Sequence, residues 1–218
     1  EKFKIPYTHS GVIASSIAMD KEISKKIFIK NKIRTPNFFT YSYDLKMPDL
    51  IRKINKKLKF PVVIKPLNEG SSVNVYICNK KNLKPKLKKL QSYKQILVEE
   101  FIPGREIQAA ILGKRKLGAI ELKPKRQFYD YTAKYNSKAK TEHIIPVKIS
   151  KKQYNQVTDI ALKAHKILKC RGVTRSDFRF YNNKFYLLET NTQPGMTSLS
   201  LVPEIANYNN ITFIQLIE

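Results

Sequence analysis

The sequence predicts an α+β fold with mainly antiparallel sheets, and three observations carry that expectation. Short apolar runs follow one another across tight turns: 95–101 into 107–112 through Ile102-Pro103-Gly104, then 117–122, and later 173–180 into 185–191 through Tyr181-Asn182-Asn183-Lys184. That is the spacing of hairpins. Helical three-and-four periodicity occupies separate stretches at 11–31, 48–58 and 150–168. With 42% hydrophobic residues, the 218-residue chain can bury one large domain or two small subdomains.

Taken in order, residues 11–31 read as one helix, with Ile13, Ile17, Ile23 and Ile27 among its buried positions and Asn31 placed for a left-handed C-terminal turn. Lys25, Lys26 and Lys30 fall on its solvated face. Lys21 does not: it follows Ile17 by four and precedes Phe28 by seven, on the apolar stripe. A lysine there either snorkels out or reaches an anion held inside. Residues 37–41 form a short aromatic strand, 48–58 a helix opened by Pro48, and 60–66 a strand with Lys65 at its end. The loop Asn68-Glu69-Gly70-Ser71-Ser72 follows. It suits a phosphate, because its N–H groups can close on the anion while Lys65 supplies a point charge; a plain turn between strands has the same composition.

Beyond the strand at 73–78, residues 80–90 read as a basic surface helix with Leu83, Leu87 and Leu90 on one face and Pro85 tolerated only in its first turn. Residues 102–106 then link two subdomains. Free backbone groups at that strand edge suit an adenine and Glu106 suits ribose hydroxyls; a plain hairpin with exposed glutamates fits the same residues. The long irregular stretch 123–146 holds Phe128, Tyr129, Tyr131 and Tyr135 around Lys134, the composition of a lid that orders over a ligand. Ser150 and Gln153 form a capping box opening a helix whose stripe is Tyr154, Val157, Ala161, Ala164 and Leu168, with His165 read as structural.

The final hairpin is the strongest candidate site. An apolar strand through Phe185 and Leu187 brings Glu189 and Asn191 to its end, opposite Asp177 on the preceding strand. Two carboxylates and an amide oxygen are hard donors suited to Mg²⁺ together with substrate phosphates, and the Gln193-Pro194-Gly195-Met196-Thr197-Ser198 loop can offer N–H groups to an anion. A regular ladder around a two-residue Asn182-Asn183 turn would set Asp177 opposite Leu188 and send Glu189 to the other face. One shared cation site therefore requires a register in which Asp177 faces Glu189, through a three-residue turn or a bulge.

The formal charge of +25 raises a nucleic-acid or membrane-surface function. Of the 42 basic residues, however, only 8 are Arg, the residue that reads bases bidentately, and no nucleic-acid motif occurs. A compositional bias towards Lys, Asn and Ile accounts for the charge, leaving weak, salt-sensitive non-specific binding as the expectation. No apolar run of about 18 residues spans a membrane, and no signal peptide is evident, so a cytosolic protein is expected. Cys78 and Cys170 lack the spacing of a zinc site or disulfide framework. The chain opens on Glu1 rather than Met, and 211–218 read as an amphipathic helix cut off after two turns, so a fragment is expected.

Six segments, YTHSGVIASSIAMDKEISK, VVIKPLNEGSSVNV, LVEEFIPGREI, FYDYTAKY, GVTRSDFRF and LLETNTQPGMTSLSLVPEIA, together resemble the D-alanine–D-alanine ligases of the ATP-grasp superfamily along the whole chain. The resemblance implies two α/β subdomains gripping ATP: residues 1–19 as the end of an N-terminal domain and lead-in helix, 20–99 as the central subdomain, and 100–218 as the C-terminal one with lid and metal site. It implies that the chain lacks most of an N-terminal domain carrying a glutamate for the first substrate's amine. Asn74 stands where the family commonly has Gly.

Carried over residue by residue, the resemblance places Lys21 and Lys65 on the ATP α- and β-phosphates, Glu99, Glu100 and Ile102 at the adenine, Glu106 on the ribose and Lys134 at the γ-phosphate. Asp177 and Glu189 would bind one Mg²⁺, and Glu189 with Asn191 a second, with Mn²⁺ able to substitute. Arg175 and the Gly195 N–H would stabilise the oxyanion. Ser200 and Leu201 would bind the second D-alanine's carboxylate, and Ser71 and Tyr135 would orient the first D-alanine. The implied protein is a bacterial, cytoplasmic enzyme of peptidoglycan synthesis, a homodimer in its full-length form, with D-alanine and ATP as its partners and neither specific nucleic acid nor membrane. The alternatives are an ATP-grasp carboxylate-amine ligase with a different acceptor, or a basic nucleic-acid binder.

Overall fold

A computed structural model of the chain describes residues 4–123, 141–197 and 200–218. Every strand pairing it describes is antiparallel, as the turn spacing predicts. The first sheet has four strands in the order β1-β4-β2-β3, with β1 Phe38–Ser42, β2 Val62–Pro66, β3 Tyr76–Cys78 and β4 Gln95–Glu100. The second has five, in the order β7-β6-β5-β8-β9, with β5 Arg105–Leu112, β6 Arg115–Lys123, β7 Glu142–Ile144, β8 Val173–Tyr181 and β9 Lys184–Asn191.

Each sheet is covered by helices whose apolar stripes the sequence marks. Helix α3 (Met47–Lys57) and the short α4 (Leu83–Lys88) close the first sheet, burying Leu50, Ile54, Leu83 and Leu87 against Val62, Ile64, Ile96 and Val98. Pro85 falls in the first turn of α4, where its missing N–H is harmless. On one face of the second sheet lies α5 (Lys151–Ile167), opened by the expected Ser150/Gln153 capping box and burying Val157, Ala161 and Ala164 against Ile107, Ala109, Phe178 and Leu187. The other face takes α6 (Leu201–Tyr208) and α7 (Phe213–Ile217), with Val202 and Ile205 against Ile120 and Leu122. His165 is buried with its ring nitrogen 2.8 Å from the Thr174 hydroxyl, so it is structural as expected. Cys78 and Cys170 are both free thiols.

The first helical segment departs from expectation. Residues 11–31 form two helices, α1 (Val12–Met19) and α2 (Lys21–Lys30), broken at Asp20. The reason is local: Asp20 adopts an extended backbone and its carboxylate accepts hydrogen bonds from the N–H groups of Glu22 and Ile23, both at 2.9 Å. A side chain that satisfies two orphan N–H donors favours a fresh helix start over a continued one. The break turns the second helix relative to the first, so Ile13 and Ile23 are exposed at 74% and 46%, and Lys25, expected on the solvated face, is fully buried. The left-handed residue after α2 is Lys32 (φ 58°) rather than Asn31, whose side chain donates to the Ile27 carbonyl instead. Helix α2 also bridges the two sheets. Phe28 packs in the core of the five-stranded sheet, whereas Lys25 reaches Glu99 on β4, although the sequence division groups residues 20–99 together.

Candidate active site

The β8–β9 hairpin resolves the register question. Near its turn Phe180 pairs with Phe185 and Tyr181 with Lys184, the ladder of a two-residue turn, with Asn182 and Asn183 both left-handed (φ 47° and 57°). Between Asp177 and Phe178 the register shifts, and beyond the shift Asp177 pairs with Glu189, Ser176 with Thr190 and Arg175 with Asn191. One extra residue, Leu188, is taken up in β9. Phe178, Phe185 and Leu187 stay in the core while Asp177, Leu188 and Glu189 line the cleft between the sheets. Of the two expected alternatives, the bulge is the one present.

Across the cleft stand the cations. Lys21 is the first residue of α2. Its side chain turns inward, 5% exposed, donating to the carbonyls of Leu67 at 3.3 Å and Glu69 at 2.5 Å, with Glu189 3.8 Å away. That settles its orientation in favour of an internal position. Burial pulls its ammonium pKa down, and Glu189 opposes the shift. Lys65 on β2 meets Glu99 at 2.5 Å, and the other Glu99 oxygen meets Lys25 at 2.9 Å. Burial pushes the Glu99 carboxyl up, but Lys25 and then Lys65 outweigh it and hold the pKa at about 2; Lys25, fully buried with one carboxylate, is pulled down by burial to about 8. The asymmetry follows from the count of partners, two ammoniums on one carboxylate.

The loop between β2 and β3 is strained in the way a close-approach loop requires. Ser71, Ser72 and Asn74 all have positive φ, between 52° and 58°, and the strand expected at 73–78 begins only at Tyr76. Asn74 is held there by its side chain, which donates to the Tyr93 hydroxyl at 3.1 Å and accepts from the Tyr76 hydroxyl at 3.0 Å. Asn tolerates the left-handed region better than most residues, so it can replace a glycine at this position.

At the linker, Glu100 takes a hydrogen bond from Asn37 at 3.1 Å, and Glu106 takes one from Arg179 at 3.3 Å. Arg179 also donates to the carbonyls of Ile102 and Gly104, at 3.1 and 2.8 Å. One side chain thus ties β8 to the whole turn. Gly104 (φ 100°) packs on the Phe180 backbone, leaving no space for a Cβ.

Of the expected site residues, Lys21, Lys65, Glu99, Glu100, Ile102, Glu106, Asp177 and Glu189 line this one cleft, with Ser72 beside Ser71 at its edge. Arg175 and Asn191 join through Asp177. Arg175 grips both its oxygens, at 2.8 and 3.0 Å, and the Asn191 amide lies 3.3 Å from one of them. Gly195, Ser200 and Leu201 cluster apart from the cleft lining at the start of α6. The Ser200 hydroxyl accepts from the Thr197 N–H at 3.0 Å and lies against Gly195 where a Cβ would stand, while Leu201 is buried. Lys134 and Tyr135 lie outside the described residues. Two residues escaped sequence reasoning: Arg179, which lines the cleft and was not singled out, and Lys25, expected on the solvated face, which instead pairs with Glu99 behind the cleft wall. The signal for Lys25 was its place one helical turn after Lys21; once Lys21 points inward, Lys25 shares its face.

The model of the family described as "D-ala D-ala ligase C-terminus" matches residues 31–218. The chain belongs to the D-alanine–D-alanine ligase family. A D-alanine–D-alanine ligase of Pelagibacter ubique (strain HTCC1062) is 66% identical over 218 residues, 100% of this chain and 72% of that protein. One of Wolbachia pipientis wMel is 44% identical, covering 98% and 68%. Among solved structures, the Bacillus anthracis D-alanine–D-alanine ligase complexed with ATP superposes with a TM-score of 0.82 at 29% identity, covering 99% of this chain and 68% of that one. The VanG D-Ala:D-Ser ligase of Enterococcus faecalis gives 0.86 at 26%, covering 98% and 63%. The fold is accordingly ATP-grasp and the family one of ATP-dependent ligases, so the basic nucleic-acid binder gives way to the enzyme. Among the described residues, no helix is long and apolar enough to cross a membrane.

Proposed function

We propose that this chain joins two D-alanine molecules into D-alanyl-D-alanine with ATP, through an acyl phosphate, supplying a peptidoglycan precursor in the bacterial cytoplasm. The observation that carries the reading is the bulged hairpin, which turns Asp177 and Glu189 into the same cleft as Lys21 and Lys65. The proposal divides the cleft as follows. Glu99, Glu100 and Ile102 border the adenine and Glu106 the ribose; Lys21 and Lys65 hold the α- and β-phosphates. Lys134 at the γ-phosphate, and Ser71 with Tyr135 at the first D-alanine, rest on the sequence resemblance alone. In this reading the boundary between the two jaws is drawn between residues 99 and 100, at the last residue of β4.

Mg²⁺ suits the donor set. Asp177 and Glu189 are register partners on one face, Asn191 adds an amide, and all are hard oxygen donors that phosphates would complete. Asp177 and Glu189 would hold one ion and Glu189 with Asn191 a second, and such ions, Mg²⁺ or Mn²⁺, would supply positive charge against the phosphates. Phosphoryl transfer asks the protein mainly for positioned cations, and the cleft has them. Arg175 has a second task, stabilising the tetrahedral oxyanion with the Gly195 N–H as the second D-alanine's amine attacks. Its grip on Asp177 must then loosen, exchanging one anionic partner for another. Ser200 and Leu201, at the first turn of α6, receive the incoming carboxylate, and water is kept from the acyl phosphate by closure of the site. A homodimer is part of the same reading.

The acceptor is what the fold alone leaves open, because the D-Ala:D-Ser ligase superposes as well as the D-Ala ligases; the 66% identity to a D-alanine–D-alanine ligase favours D-alanine. Coupled ADP release on the intact protein decides between them. ADP formation that saturates with D-alanine alone and yields the dipeptide is expected. Turnover that requires D-serine or a D-hydroxy acid beside D-alanine would overturn the acceptor, and no D-amino-acid-dependent ADP release would overturn the enzyme.

A further inference from the structure

Lys25 is the one fully buried lysine among the described residues, and the reaction as proposed gives it no task. Its ammonium meets the Glu99 carboxylate at 2.9 Å and the Thr35 hydroxyl at 2.7 Å, and sits 5.5 Å from the centre of the Phe38 ring. Burying an ammonium is costly, and a well-packed apolar side chain is often the more stable choice. Its position explains what it contributes. Glu99 is shared: one oxygen faces Lys25 and the other Lys65. Were Lys65 the sole partner of Glu99, the two would form a neutral pair and an incoming phosphate would have to compete with a carboxylate already in contact. Two ammoniums against one carboxylate leave a net charge of one positive unit at the wall of the cleft. Only Lys65 of the two lines that cleft, so the surplus is expressed there.

We infer that Lys25 is a positioning residue for nucleotide binding: it offsets Glu99 from behind, so that Lys65 retains its attraction for the ATP phosphates. Lys25 itself touches no substrate. The inference rests on the nucleotide site proposed above and goes beyond it by assigning phosphate affinity to a residue outside the cleft. At neutral pH the ammonium remains charged, as the role requires.

The test compares a nucleotide that has phosphates with one that has none. ATP and adenosine affinities are measured by calorimetry on the intact protein, without D-alanine, for the wild type, Lys25→Met, Glu99→Gln, the double variant and Lys65→Met. Lys25→Met should weaken ATP relative to adenosine by about tenfold or more, with adenosine within about twofold of wild type. The double variant restores the net positive unit and should recover most of that loss, and Glu99→Gln alone should strengthen ATP relative to adenosine. If ATP and adenosine weaken together in Lys25→Met, or the double variant stays as weak as the single, Lys25 is a structural ion-pair member and the inference falls. Should Lys25→Met fail to fold, Glu99→Gln carries the decision, an unchanged ATP-to-adenosine ratio overturning the idea. Lys65→Met separates the two levels: if it leaves that ratio unaltered, the phosphate site itself has been misplaced.

Discussion

At the scale of single residues, the cleft is a set of charges whose effects differ by where they stand along the reaction. Lys65 faces phosphates present in bound ATP, whereas Lys134 is assigned to the group in flight. Lys65→Ala should therefore raise the KM for ATP, and Lys134→Ala should mainly lower kcat; purely KM effects of equal size from both would contradict the assignment. Glu99 makes a different prediction, about pH. Its carboxyl is held at about 2 in the folded protein against an ordinary 4.5, so the stability it contributes is complete above pH 4.5 and lost as pH falls towards 2. Acid unfolding monitored by circular dichroism should show a steep limb in that window, and Glu99→Gln should flatten it. Lys25 works in the opposite sense: its depressed pKa costs stability in the charged form, a cost relieved as pH rises from about 8 towards 10.5.

At the scale of elements, two local devices place the charged side chains. The first is the Asp20 cap, which ends one helix and begins the next so that Lys21 and Lys25 enter the interior. Asp20→Ala should cost about 1 kcal/mol of stability, the usual worth of such a cap, and should also raise the KM for ATP because Lys21 loses its fixed starting point. A variant with the stability loss and an unchanged KM would show that the helix break is set by packing instead. The second device is the β8–β9 hairpin. Asn182 and Asn183 hold left-handed backbones that β-branched residues resist, so Asn183→Val should destabilise the protein by about 1–2 kcal/mol in urea titration while Asn183→Gly is tolerated. The bulge at Leu188 was foreseeable as one of two alternatives, a three-residue turn being the other, and the two-residue Asn182-Asn183 turn selects it. The split of residues 11–31 was not, because an Asp inside an otherwise periodic stretch reads as a polar position until its carboxylate is seen bonding the N–H groups beyond it.

At the scale of the whole molecule, the charge of +25 has a measurable consequence distinct from catalysis. Spread lysines should bind duplex DNA weakly at low salt, and that binding should vanish by about 200 mM salt without sequence preference, since it rests on counterion release alone. Salt-resistant, sequence-selective retardation would reopen a nucleic-acid role. The sequence by itself determined the antiparallel class, because hairpin turns and period-two runs are local patterns; the capping box of α5 and the structural role of His165, likewise local; and the family, because its motifs are contiguous strings. What only the tertiary structure decided is how the two sheets face each other. That Lys21 points at Glu189, that Glu99 is shared between Lys25 and Lys65, and that Arg179 ties Gly104 to Glu106 are contacts between residues up to 168 positions apart. Periodicity can say which side of a helix is buried, but it carries no term for what lies opposite. A lysine in a helix is solvated by default, and only a carboxylate delivered by another element makes its burial tolerable, so the burial of Lys25 against Glu99 had to wait for the fold.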